Sequence, residues 1–398
     1  MATVSEALES SRRLWDAHAQ SDPLWAILSD PAKHGGKWNL HRFFQTGVGE
    51  IATLLYELAR LGVAVKTDRA LDFGCGIGRL TQALAERFTR VVGVDISSQM
   101  IERAKHLNRF PERVTYLSND VDDLAVLGSE RFDFIVSRIV LQHIAPDVAV
   151  RYLRELCRLM APGGSFVVQA PSRRRGPDDP VAPQTAKPMP DEAYRANIAV
   201  AGVLEGTLGP GEPITLDVEI TNNSRLAWLQ NDVGRVTIGN HWLDRHGEMI
   251  RRDDGRTGVP QIVHAGEAVH VPLTVTLPRE DGEYECELDL VHEGVFWFTD
   301  KGSASLRLPV GIRHGVVAIR SSDNGGEITH VLASIDDGLP VASLTAVEPA
   351  PFPMYGLARE TVLDVLADCG VRIVAVEDDR SCGDDWVSYQ YFATSGEA

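Results

Sequence analysis

The run Ala70-Leu71-Asp72-Phe73-Gly74-Cys75-Gly76-Ile77-Gly78-Arg79-Leu80 constrains this chain more than any other stretch. A short apolar segment ends in an acid, passes three glycines at alternate positions and opens into a pattern with Leu80, Leu84 and Phe88 on one helical face. It reads as strand, tight turn, helix. Glycines at such a turn let the backbone come close to a ligand. A dinucleotide fingerprint would need glycine at position 79, where Arg79 stands, and the lysine of a phosphate-binding loop is absent too, so a phosphate cradle is disfavoured. The acid before the turn, Asp72, suits a cationic ligand instead.

On either side of this turn, patterns of strand and helix alternate. Residues 5–20 read as a helix, and Trp15, Trp25 and Trp38 punctuate the segment that follows, as far as Asn39 to Gly47. A second helix runs from 51 to about Leu61. Val91-Val92-Gly93-Val94-Asp95 is a buried strand closed by an acid, and a carboxylate at that strand end can accept from both hydroxyls of a ribose. Met100, Ile101, Ala104 and Leu107 give the next helix its face. Val114 to Leu117 is a third strand, leading into Ser118-Asn119-Asp120-Val121. Phe132 to Arg138 is a fourth, leading into Ile139 to Ile144. Pro146 opens a further helix, Pro162-Gly163-Gly164 stops it, and Ser165 to Ala170 is a fifth strand. Strands alternating with helices of this length imply parallel βα units in a doubly wound sheet.

The pattern changes at Pro171. Residues 172–193 are rich in Pro, Arg and Asp and read as a linker. Between 194 and 314 apolar residues alternate with period two, as in Ile214, Leu216, Val218 and Ile220, with turn signals such as Asn222-Asn223 and Asp281-Gly282 between the runs; this predicts an antiparallel β-sandwich of Ig-like type. Residues 315–350 read as a connector. Beyond them a helix at 356–369 closes on Gly370, and strands follow at 372–376 and 386–392, so α/β architecture returns.

The D-x-G-x-G-x-G turn at Asp72, the acid at Asp95 and the phrase Leu159-Met160-Ala161-Pro162-Gly163-Gly164 together resemble the class I S-adenosylmethionine (SAM) dependent methyltransferases. The resemblance implies a seven-stranded Rossmann-like sheet whose last strand is antiparallel. The two late strands would complete it, with the sandwich inserted between strands five and six. The methyltransferase domain would then be discontinuous, 51–171 with 351–398, behind a helical cap at 1–50. The resemblance also implies SAM as cofactor and S-adenosylhomocysteine as product. The cofactor would be held by Asp72, Gly74, Gly76, Gly78, Asp95, Ile96, Met100, Asp120, Val121 and Ser137. The N-terminal segment would form a lid, with Phe43, Phe44 and Thr46 against cofactor or substrate, although the same aromatics would also serve as plain packing. Arg138, Gln142 and Tyr355 are further candidates for the substrate side.

Methyl transfer to a hydroxyl needs an aligned acceptor and removal of a proton. His143, just past the fourth strand, is the candidate base, since an imidazole near pKa 6.5 is available at neutral pH; the alternative is a packed or capping histidine. Asp120, Asp122 and Asp123 are the nearest candidates for Mg²⁺, but nothing completes a ligand set, so no metal is assigned. The segments Gly239 to Leu243 and Asp289 to Phe298 resemble β-sandwich modules of polysaccharide-export and glycan-tailoring proteins. Trp242 and Trp297 could there offer flat faces to a sugar ring, or could simply be core residues. The sequence thus points to an O-methyltransferase acting on a sugar hydroxyl of an oligo- or polysaccharide. The alternatives are a small-molecule methyltransferase whose sandwich mediates homo-oligomerisation, and a non-catalytic glycan-binding protein on a SAM fold.

Charge and cysteine content narrow the classes further. A formal net charge of −17 argues against a nucleic-acid partner, because the one basic cluster, Arg173-Arg174-Arg175, is followed at once by Asp178-Asp179. The five cysteines are scattered without a C-x-x-C pair, so neither a disulfide framework nor a zinc site is expected. No signal-type segment or membrane-length apolar run is read, and a cytoplasmic protein is expected.

Overall fold

The computed structural model describes residues 4–177, 179, 188–206, 208–229, 235–260, 262–314, 316–319 and 352–396. Asp178 and nearly all of the 315–350 connector lie outside them. The chain divides into two compact units, one drawn from residues 1–181 and 343–398, the other from 182–342.

The first unit is built on a seven-stranded sheet. In chain order its strands are β1 (Arg69–Phe73), β2 (Arg90–Asp95), β3 (Val114–Ser118), β4 (Phe132–Ser137), β5 (Met160–Arg174), β6 (Arg372–Asp379) and β7 (Trp386–Thr394). In space the order is β6-β7-β5-β4-β1-β2-β3. β1 to β5 run parallel where they pair, and β7 is antiparallel to both β5 and β6. This is the Rossmann-like methyltransferase topology. The order reverses between β1 and β4, and a ligand crevice forms at such a switch, outside the carboxyl ends of the strands. Helices α4 (Arg79–Ala85), α5 (Ser98–His106) and α6 (Pro146–Arg158) make the crossovers, and α7 (Arg359–Asp368) leads into β6.

The N-terminal segment carries α1 (Val4–Ser21), α2 (Pro23–Ile27) and α3 (Leu40–Arg60). α3 begins at Leu40, eleven residues before the helix read from the sequence. Asn39 caps it, its side chain accepting from the Arg42 N–H at 3.0 Å. Gly47 is needed because α3 lies against the start of α4, where an added Cβ would stand 2.4 Å from the Arg79 carbonyl oxygen.

Gly78 shows how tightly the glycine turn is packed. Its φ is +87°, and an added Cβ would meet the Tyr116 hydroxyl at 2.1 Å. Gly78→Ala is therefore expected to lower stability by about 1–2 kcal/mol for the left-handed conformation alone, and by more for the clash. Urea unfolding checks this, and adding Tyr116→Phe should recover part of the loss.

The second unit holds two larger sheets. One runs Met249–Gly258, Val236–Asp244, Gly282–His292, Leu306–Arg313, Val316–Ile319; the other runs Ala268–Thr276, Pro213–Asn222, Ala196–Gly206. Both contribute to one apolar cluster, including Leu216, Val218 and Leu273 from the smaller sheet and Ile238, Leu288 and Val310 from the larger. Two antiparallel sheets over one core form a sandwich. Trp242 belongs to that core, 1% exposed, with its indole N–H donating to Asp254 at 3.2 Å. It offers no open face, which corrects the expectation of a sugar-stacking surface there. Trp297 is half-buried, with the Arg256 guanidinium 4.7 Å over its ring and the His241 ring 4.5 Å away.

Candidate active site

A cavity of about 310 Å³ opens at the carboxyl ends of β1, β2 and β4, at the lower end of the volume range of small-molecule sites. Gly74 and Gly76, at φ +78° and +54°, line its floor. Asp95 ends β2 on the wall: one carboxylate oxygen accepts the Gly76 N–H at 2.8 Å and the other the Ser97 N–H at 2.9 Å. The acid thus fixes the glycine turn as well as facing the cavity. Burial raises its pKa, and the two amides only partly offset this.

Asp72 lies under the floor, not on it. It is 2% exposed, accepts the Thr81 hydroxyl at 2.6 Å, and burial pushes its pKa up to about 7. Its visible role is to brace the start of α4, and Gly78 makes room for Tyr116. Neither lines the cavity.

Ile96 and Asn119 do line it. Asp120 is exposed and Val121 is 49% exposed, so both lie outside the wall. Asn119, one position earlier, turns inward because its amide donates to the Val121 and Asp123 carbonyls, each at 2.9 Å, and so shapes the turn after β3. Ser137 is fully buried behind the wall. Met100 is fully buried among Phe43, Phe44 and Ile77. Among the described residues no group of three His, Cys, Asp or Glu side chains is placed to hold a metal.

The lid comes from a different part of the cap than expected. Ser10, Leu14 and Trp15 of α1 and Ile27 of α2 close the cavity. α1 is tied down where Asp16 accepts from the Ser97 hydroxyl at 2.6 Å. Phe43 and Phe44 pack in the core under that lid. Thr46 donates to the Phe43 carbonyl at 2.6 Å and accepts from Arg79 at 3.3 Å. These three residues support the cap and do not line the cavity.

The opposite wall is the turn after β4. Arg138, Ile139, Val140 and His143 line it, and Tyr355 joins them from the segment before α7. The Tyr355 N–H donates to the Gln142 carbonyl at 2.8 Å. His143 has both ring nitrogens engaged, Nδ1 with the Pro353 carbonyl at 3.0 Å and Nε2 with the Gln142 amide nitrogen at 3.1 Å. A carbonyl only accepts, so neutral His143 carries its proton on Nδ1 and presents a lone pair on Nε2, to which Gln142 donates. Gln142 is 4% exposed and sits behind the histidine. Burial lowers the His143 pKa, and the Pro353 contact opposes that only in part. Trp15 stands edge-on to the imidazole at 5.3 Å, with Phe352 at 5.5 Å.

Sequence reasoning missed Asn119, Trp15, Pro353 and the ion-pair partners of Arg138. Arg138 meets Glu50 at 2.9 Å and Asp379 at 2.9 Å, and it also donates to Gln390; Glu50 in turn binds Arg79 at 2.6 Å.

The first unit has the Rossmann-like methyltransferase fold, with a cavity at the carboxyl ends of its strands. Residues 70–164 match the family described as "Methyltransferase domain". Part of the chain is similar to proteins named ubiquinone biosynthesis O-methyltransferase. The one from Xanthomonas campestris pv. campestris (strain B100) is 27% identical over 164 residues, 41% of this chain and 58% of that protein. The one from Coxiella burnetii (strain Dugway 5J108-111) is 34% identical over 105 residues, 26% of this chain and 44% of that protein. The chain thus spans about half the length of these relatives. Among solved structures it is similar to CalS10, titled an amino pentose methyltransferase from Micromonospora echinaspora, at 13% identity, TM-score 0.37, covering 92% of this chain and 96% of that one. It is also similar to an S-adenosylmethionine-dependent methyltransferase from Clostridium acetobutylicum ATCC 824 at 12% identity, TM-score 0.36, covering 88% and 92%. No helix among the described residues is long and apolar enough to cross a membrane.

Proposed function

We propose that this protein is a SAM-dependent O-methyltransferase whose acceptor is a carbohydrate hydroxyl. The observation that carries the reading is that Asp95 and His143 face one cavity from opposite walls. The residues present fit the cofactor: an acid for its ribose, a glycine floor free of side chains, and Ile96 and Asn119 toward the base. When bound, SAM supplies a methyl group already activated on a sulfonium. Gly74 and Gly76 allow close approach, Asp95 orients the nucleoside, α1 and α2 exclude water, and Nε2 of His143 takes the acceptor proton. Gln142 must release Nε2 for this to happen.

The carbohydrate assignment draws on the sandwich resemblance, and with Trp242 buried it leans on Trp297 alone. The ring-lined wall of Trp15 and His143, with Phe352 stacked on Trp15 at 5.4 Å, favours a second reading, a flat phenolic acceptor. Release of S-adenosylhomocysteine over matched panels of oligosaccharides and catechols decides between them. Turnover on catechols alone would overturn the carbohydrate reading, and turnover on neither, with SAM bound, would overturn the transferase reading.

Asp95→Ala is expected to weaken S-adenosylhomocysteine binding about 30- to 150-fold in calorimetry. This corresponds to roughly 2–3 kcal/mol for hydrogen bonds to a charged group, and loosening of the Gly76 turn adds to it. Affinity within threefold of wild type would remove Asp95 from the cofactor site.

A further inference from the structure

Gln169 is the one polar side chain in the run Phe166-Val167-Val168-Gln169-Ala170 at the centre of β5, and it is fully buried. An amide in such a place is costly unless its donors and acceptor are used. Its oxygen accepts the backbone N–H of Ile139 at 3.1 Å, and its nitrogen donates to the Ser388 hydroxyl of β7 at 2.8 Å. Ser388 is itself 3% exposed.

The partner is unusual. Ile139 has φ +60°, a conformation that a β-branched residue rarely adopts. It begins the turn that carries the cavity wall, and the turn is closely packed: Val140 occupies the space where an added Cβ on Gly74 would meet it at 2.3 Å, and the His143 N–H donates to the Val140 carbonyl at 2.9 Å. A small relaxation at Ile139 would therefore move both the glycine floor and the imidazole. Just before the turn, Arg138 is tied through Gln390 to the same strand that holds Ser388.

We propose that Gln169, backed by Ser388, is a positioning residue: it holds Ile139 in the left-handed conformation and so sets the place of His143 and the acceptor wall. This rests on the methyltransferase reading for its consequence in turnover, but the latch itself can be tested without an acceptor.

Hydrogen exchange followed by mass spectrometry on the full chain, with S-adenosylhomocysteine calorimetry alongside, provides the test. Gln169→Leu keeps the bulk and removes the hydrogen bonds. It is expected to speed exchange across 138–143 at least tenfold, to leave β2 and β3 protected, and to keep S-adenosylhomocysteine affinity within threefold. kcat should fall tenfold or more, with a smaller change in KM. Gln169→Glu keeps an acceptor for Ile139 and should restore protection, most fully at low pH where the carboxyl is protonated. Ser388→Ala, which leaves the Ile139 hydrogen bond in place and removes the outer support of Gln169, should give an acceleration of about threefold and serves if the leucine variant fails to fold. Unchanged exchange at 138–143 in Gln169→Leu and Ser388→Ala would overturn the proposal. So would exchange rising across the whole sheet with cofactor binding lost, which marks a general structural role. If the turn loosens as expected but the wild type methylates neither acceptor class, the functional reading fails and the latch stands.

Discussion

Replacing His143 by alanine is expected to lower kcat about a hundred- to ten-thousand-fold, the range a positioned general base contributes, while S-adenosylhomocysteine still binds. The expectation follows from the tautomer. Pro353 accepts from Nδ1, so the basic lone pair is on Nε2, and burial favours the neutral form of the ring. The sign in pH is fixed by the same facts. A base must be unprotonated, and its pKa in the folded protein lies below the ordinary 6.5, so kcat/KM should be on its plateau at pH 7 and fall only as the pH drops below 6.5. The alanine variant should lose that acid limb as well as the rate. The buried imidazole also costs stability on acidification: the unfolded chain binds its proton first, so stability falls as the pH goes below 6.5 toward the folded pKa. Turnover within threefold of wild type in His143→Ala, at unchanged cofactor affinity, would make the histidine a packing residue of the aromatic wall.

How far the sequence reached depends on the range over which each feature is written. The strand-turn-helix at 70–80 and the acid at Asp95 are local patterns: Gly74, Gly76 and Asp95 line the cavity, whereas Asp72 and Gly78 lie beneath it. The late pair of strands is legible because five strands precede residue 171 and the family resemblance implies seven. The lid was not, because periodicity identifies α1 as a helix but does not say which segment of the cap covers the crevice. Aromatics at 43–44 and at 15 look alike in one dimension, and only packing sorts them. Asn119 and Asp120 are one residue apart, and which faces inward depends on the turn conformation that the Asn119 amide itself sets. Trp242 went to the core because strand Val236–Asp244 is buried on both faces along its whole length except Asp244, so the alternation that would have separated inward from outward residues is missing. Gln169 did carry a signal: a lone amide in a buried apolar strand demands a partner.

The network on Arg138 lay furthest out of reach, with partners 88 and 241 positions away in the chain, and it carries the largest expected effect on stability. Glu50→Ala should destabilise the protein by about 3–5 kcal/mol, because it leaves two guanidinium groups, Arg79 at 4% and Arg138 at 11% side-chain exposure, facing one another without their shared carboxylate. For a unit of this size that is a drop in melting temperature of roughly 6–20 °C. Burial alone would raise the Glu50 pKa, but Arg79 and Arg138 outweigh it and hold the carboxyl at about 2. A depressed carboxylate contributes its full stability above the unfolded pKa of 4.5 and loses it as the pH falls from there toward 2. Wild type should therefore lose stability through that window, and the alanine variant should lose less of it. Asp379 still offsets Arg138 at 2.9 Å, so the residual strain in Glu50→Ala centres on Arg79, and adding Arg79→Met should recover much of the lost stability by replacing a buried unpaired charge with apolar volume. A Glu50→Ala melt within 2 °C of wild type would mean that water reaches the arginines and that the pairs contribute as surface ion pairs do. Because Arg138 is also on the cavity wall, the same substitution should disturb the acceptor side while sparing Asp95, which makes the ion-pair network the joint between the late strands and the turn that carries His143.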